Sequence, residues 1–173
     1  MIHLPYMHPL FVDYCTYFNG NHDYFECHEV LEEYWKDIAP GDKEHVLVGL
    51  VQLATGMYHW RRHNLNGATK ILLKAQKNLI TNKASAFLHP FHFLLLEQRI
   101  SQSISQIKQG EPFQSFTLPL LDEAFERMIA EKIATLAKED AHFLLHKHML
   151  RDRSDILEAR AQKIAKKRKE AEC

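Results

Sequence analysis

At 173 residues, 20.3 kDa and 46% apolar composition, the chain suits one domain with its own core and excludes a second full domain. Lysine plus arginine equals aspartate plus glutamate at 22 each, so net charge gives no ground for polyanion binding, and nucleic acid is not expected as a partner. Three cysteines (Cys15, Cys27 and Cys173), none in a CxxC spacing, exclude a disulfide framework and a zinc knuckle.

Pro9 opens a first predicted helix that runs to about Phe18, and "NGNHD" (Asn19 to Asp23) supplies turn residues. Asp23 and Glu26 have capping-box spacing, which predicts a second helix from Tyr24 to about Ile38, ended by "APGD". A third helix is expected from about Lys43 to His63. "NLNG" (Asn64 to Gly67) then connects it to a fourth, from about Ala68 to Ile80. Short loops of this kind imply antiparallel neighbours. A fifth helix is expected from near Pro90 to Gly110, and helical patterning resumes at Pro119. The last stretch, "ARAQKIAKKRKEAEC", has almost no large apolar residues and reads as a solvated helix or frayed tail. No strand series and no internal repeat is visible. The expected fold is therefore all-α, an antiparallel helical bundle with an extended C-terminal helical segment. Its expected division is a helical core over 1–84 and additional helices over 85–173 packing on it.

The chain opens with no basic segment followed by an apolar run, and nowhere do about 18 apolar residues follow one another. A reducing, cytoplasmic setting without a membrane partner is expected. Twelve histidines stand out in the composition and make imidazole chemistry the first to test.

Projected at about 100° per residue, the second helix places Tyr24, Cys27, Leu31, Tyr34, Trp35 and Ile38 on one stripe. His28 lies at its edge and Glu32 one turn on, so the two can act together; Glu29, Glu33, Lys36 and Asp37 point further towards water. On the third helix Val46, Leu50, Leu53, Met57 and Trp60 form an apolar face that Leu47, Val51, Ala54 and Tyr58 widen, which predicts a central helix. The narrow remaining stripe is Gln52, Gly56, His59 and His63, uncharged and offering imidazoles. In a hairpin of these two helices the stripe could face His28 and Glu32. That would gather a small-molecule site from His28, Glu32, Gln52 and His59, with Glu29 as a further candidate base. A metal site from His28, Glu32 and His59 would take a divalent cation as its cofactor. The competing reading is that the same groups hydrogen-bond structurally.

At these residues the sequence resembles the bacterial and archaeal family called domain of unknown function 309. The matching elements are "FNGNHDYFECHEVLEEYW" (Phe18 to Trp35) and "GLVQLATGMYHWRRHNLNGATKILLKA" (Gly49 to Ala75). Asn19, His28, Glu29, Glu32, Trp35, Gln52, His59, Asn64, Gly67 and Ala68 occupy the places of its pattern. The resemblance implies an all-α bundle and brings no activity with it. His63 departs from the family, which usually has glycine there. The second half, from about Ser85, falls outside the pattern and reads as a lineage-specific addition.

Other constellations are weaker. "HEVLE" begins like the H-E-x-x-H of zinc proteases but has Glu32 in place of the second histidine. "HWRRH" and "HFLLH" (His142 to His146) have one-turn histidine spacing but supply only two ligands each. Cys27 reads as a core thiol, and "KKRK" (Lys166 to Lys169) as a solvated helix end. Arg61 and Arg62 are expected at the surface. Two functions follow for an uncharacterised protein, and neither decides whether it is an enzyme. One is a His/Glu/Gln site for a small molecule or metal between the second and third helices. The other is a structural or protein-interaction module, with a homo-oligomer among its expected forms, whose polar seam is a buried hydrogen-bond network.

Overall fold

The computed structural model describes residues 4–136, 144 and 154–171; Cys173 and the His142 and His146 pair lie outside them. Seven α-helices are formed among these residues: α1 (Pro9–Asn19), α2 (Tyr24–Ile38), α3 (Val46–Arg61), α4 (Leu65–Thr81), α5 (Phe93–Lys108), α6 (Glu123–Ala134) and α7 (Ser154–Ala171). The fold is all-α, and the described residues contain only an isolated antiparallel bridge between Phe91 and Leu120 outside the helices and turns. Each of α1 to α4 packs on the next, and α6 returns to α1.

The capping chemistry sets where the helices start. Asp23 is almost fully buried and accepts from the Glu26 amide at 3.1 Å, so α2 begins where its capping box places it. α3 starts three residues later than expected, at the first residue of its apolar face, because His45 caps it by accepting from the Leu47 amide at 3.1 Å. α4 starts earlier than expected because Asn64 accepts from the Gly67 amide at 3.1 Å. A β-carbon at Gly67 would lie 2.5 Å from Asn64 Nδ2, so the cap requires glycine there. Imidazole acceptors also cap α1, through His8 and Leu10 at 3.2 Å, and α5, through His92 and Leu95 at 3.2 Å. Part of the histidine excess is thus capping chemistry.

α3 is central, as its wide apolar face implies. Leu47, Leu50, Leu53, Ala54 and Met57 are fully enclosed. Gly49 and Gly56 let α4 approach: a β-carbon at Gly56 would collide with the buried Leu72 side chain, and one at Gly49 with Asn78.

The two halves share one core. Phe11, fully buried, has ring centroids 5.7 Å from Phe87, 6.1 Å from Phe91 and 6.5 Å from Phe125. Asn19 pairs with the backbone of Leu118 in both directions, accepting from its amide at 2.7 Å and donating to its carbonyl at 3.3 Å.

His63 adopts φ 64°, a left-handed conformation that costs a side-chain-bearing residue roughly 1–2 kcal/mol. His63→Gly should raise stability by about 1 kcal/mol in urea unfolding, the relief of strain being partly offset by a more flexible unfolded chain. Gly56→Ala should lower it by about 1–3 kcal/mol through overpacking against Leu72. The opposite sign for either would refute the corresponding account.

Candidate functional site

His28 sits on α2 between two carboxylates of its own helix. Its Nδ1 is 3.4 Å from Glu29 Oε1 and its Nε2 is 3.2 Å from Glu32 Oε2. Glu32 in turn holds Lys36 Nζ at 2.9 Å. All of these side chains are at least one-third exposed, so the pairings are individually weak. His28 and Glu32 pair one turn apart, and Glu29 faces the other ring nitrogen.

His59, near the end of α3, is engaged from the following turn. Asn64 Nδ2 lies 3.2 Å from His59 Nδ1, and Asn64 Oδ1 already accepts from Gly67, so the amide group donates to the ring. The neutral ring therefore carries its proton on Nε2. Burial, and then the charge of Arg62, lower the pKa of His59 from its ordinary value.

His28 and His59 line the same pocket, of about 180 Å3, with Tyr24, Phe25, Thr55, Tyr58 and Arg62. The other three candidates lie elsewhere. Gln52 lines a separate concavity with Lys74, Lys77 and Asn78 of α4, and its buried Oε1 has no hydrogen-bond partner. Glu29 and Glu32 line a third, on the outer face of α2, with Glu26, Val30, Glu33 and Lys36. The Gln52 and Gly56 stretch faces α4 because its glycine notch receives Leu72 and Ile71 of that helix. Among the described residues no group of three or more His, Cys, Asp or Glu side chains converges as a metal site needs. His28 and Glu32 are the pair that comes together from the expected metal set.

Two arginines expected at the surface are partly buried instead. Arg61 donates through Nη1 to the His22 carbonyl at 2.8 Å and through Nη2 to the Leu144 carbonyl at 3.2 Å. Its guanidinium lies 4.9 Å from the Tyr24 ring centroid. Burial lowers its pKa, opposed by Tyr24 and then by the buried Asp23. A sequence signal for this existed: Arg61 is i+4 from Met57 and i+7 from Ala54, on the buried side of α3. Arg62 stacks 5.4 Å from the Tyr58 centroid.

Cys27 is a core thiol, fully buried and donating from Sγ to the Tyr14 carbonyl at 3.3 Å. Burial foremost pushes its pKa well above the ordinary thiol value, which disfavours a nucleophilic thiolate. No described helix is long and apolar enough to cross a membrane.

Comparison with known proteins adds one family and one relative. The family described as "Domain of unknown function (DUF309)" matches residues 11–71. "Uncharacterized protein YpuF" of Bacillus subtilis (strain 168) is 36% identical over 168 residues, covering 92% of this chain and 95% of its own. That span includes most of the second half, which is therefore shared with this relative and is not an addition peculiar to this chain. No solved structure matches.

Burial is the leading cause of lowered pKa values at His22, His45 and His59. The unfolded rings then bind protons that the folded ones refuse, so their contribution to stability is complete above about pH 6.5 and is lost as pH falls through that window. The melting temperature should drop on acidification from about pH 7 to about pH 5, with a shallower drop in His59→Gln. A flat or rising profile in the wild type would contradict this.

Proposed function

The chain belongs to the domain of unknown function 309 family, and on that premise we propose that it is an interaction module whose polar seam holds the fold and whose partner is a second copy of itself. The family pattern supports the structural part. Asn19 binds the Leu118 backbone, Trp35 donates to the Asp42 carbonyl at 2.9 Å, Asn64 caps α4, Gly67 makes room for that cap, and Ala68 is fully buried. His28 and Glu32 hold one another and Lys36. These are the contacts of an architecture, and among the described residues they assemble no set of acid, base and nucleophile.

Segregated charge carries the self-association. α4 contains Lys70, Lys74 and Lys77 and no acidic residue, and these lysines lie in an exposed row opposite its buried face. Leu73 and Ile80 flank the row at 43% and 42% exposure. α2, on the other side of α3, presents Glu26, Glu29, Glu33 and Asp37 on its outer side, with Ile38 48% exposed. A neutral chain with one acidic and one basic apolar-flanked helix is complementary to its own copy.

Sedimentation velocity over a range of protein concentrations should reveal a dimer that dissociates as salt rises. A doubly substituted Lys74→Glu, Lys77→Glu chain should be monomeric at low salt. A wild-type monomer at the highest concentration in low salt would end the reading.

A further inference from the structure

The α2/α3 pocket has a chemistry of its own, independent of self-association. Its volume of about 180 Å3 falls below the ~300–1,000 Å3 of sites for drug-sized ligands, so any occupant is small. Phe25 and Tyr58 supply aromatic walls, with ring centroids 6.1 Å apart and planes at 57°. Tyr24, a fully buried residue, lines the pocket beside them.

The polar atoms are mostly donors. Arg62 lines the pocket, and its Nε is buried without a hydrogen-bond partner. The Tyr24 hydroxyl is likewise buried and unpartnered; burial raises its pKa, so the phenol keeps its proton. His59 has Nε2–H left over, because Asn64 occupies Nδ1. Arg61 lies behind this lining, 4.9 Å from the Tyr24 centroid and 5.9 Å from that of Tyr58, with its guanidinium already donating to the His22 and Leu144 carbonyls. The carboxylates of Glu29 and Glu32 face the two nitrogens of His28, Glu32 also pairs with Lys36 at 2.9 Å, and both line a separate concavity. Thr55 donates its hydroxyl to the Val51 carbonyl at 2.9 Å.

Buried donors without acceptors are costly, and an incoming anion supplies acceptors where a neutral or cationic guest would not. Two arginines already cover the aromatic faces, which disfavours a cation in an aromatic cage. The flat walls favour a flat body. From these observations we propose that the pocket binds a small aromatic carboxylate, its ring against Phe25 beside the edge of Tyr58 and its carboxylate held by Arg62 and His59.

The test is calorimetric titration of the full chain with benzoate, benzamide and acetate, alongside NMR shifts of the Phe25 and Tyr58 side chains. Expected are saturable 1:1 binding of benzoate with shifts at both rings, and affinities at least ~10-fold weaker for benzamide, which lacks the charge, and acetate, which lacks the ring. Arg62→Gln should weaken benzoate by at least ~10-fold while Arg127→Gln, at an exposed position of α6, leaves it unchanged. Benzamide binding as well as benzoate, no saturable benzoate binding by the wild type, or unchanged affinity in a folded Arg62→Gln chain would overturn the proposal. The comparison of the three probes on the wild type decides even where the variant does not fold.

Discussion

The close approach of α3 and α4 is the constraint on which the other contacts depend. Two glycines on one side of α3 remove the β-carbons that would hold the helices apart, and the space is taken by Leu72 at one and Asn78 at the other. Asn78 then donates to the carbonyl of His45 at 3.0 Å, fastening the entry of α3, and Asn82 donates to that of Glu44 at 3.0 Å. Packing and hydrogen bonding thus reinforce one another along a single seam. With α4 fixed on that side, α2 takes the other, and the pocket of Tyr24, His28 and His59 is what remains open between α2 and α3.

Periodicity and capping residues made most of the helices legible. α2 runs over the range expected because its start is written in Asp23 and Glu26, and α3 is as enclosed as its apolar residues imply. What a periodic pattern cannot specify is which neighbour a given stripe meets. The stripe of Gln52 and Gly56 could have met α2 or α4; the outcome turned on Leu72, a residue far from it in sequence whose side chain fills the notch. Arg61 was misread for a different reason. Charge suggests solvent, but the stem of an arginine is apolar, and two backbone carbonyls, an aromatic face and a nearby aspartate make burial tolerable. The imidazole caps of α1, α3 and α5 were equally hidden, since histidine is not among the usual capping residues.

The family pattern looks, residue by residue, like instructions for assembly. Its asparagines and glycine sit at helix ends and turns, where one side chain replaces a missing backbone partner. Its His28 and Glu32 pair locally, His28 lying where a helix face becomes a pocket wall and Glu32 on the outer side of α2. A scaffold of this kind can keep its architecture while the lining of its pocket and the charges of its outer helices vary.

The pairing of Asn19 with Leu118 spans 99 residues of chain, and that of Tyr6 with Asp122 spans 116. During synthesis, α1 leaves the ribosome long before its partners exist. Until that last stretch emerges, Phe11 lacks Phe125 and Phe18 lacks Phe116, and each ring is short of part of its cover. The nascent chain therefore passes through a stage in which its amino-terminal helices are formed but uncovered. Vulnerability to aggregation or proteolysis should be concentrated in that interval, before the final third of the chain closes over the start.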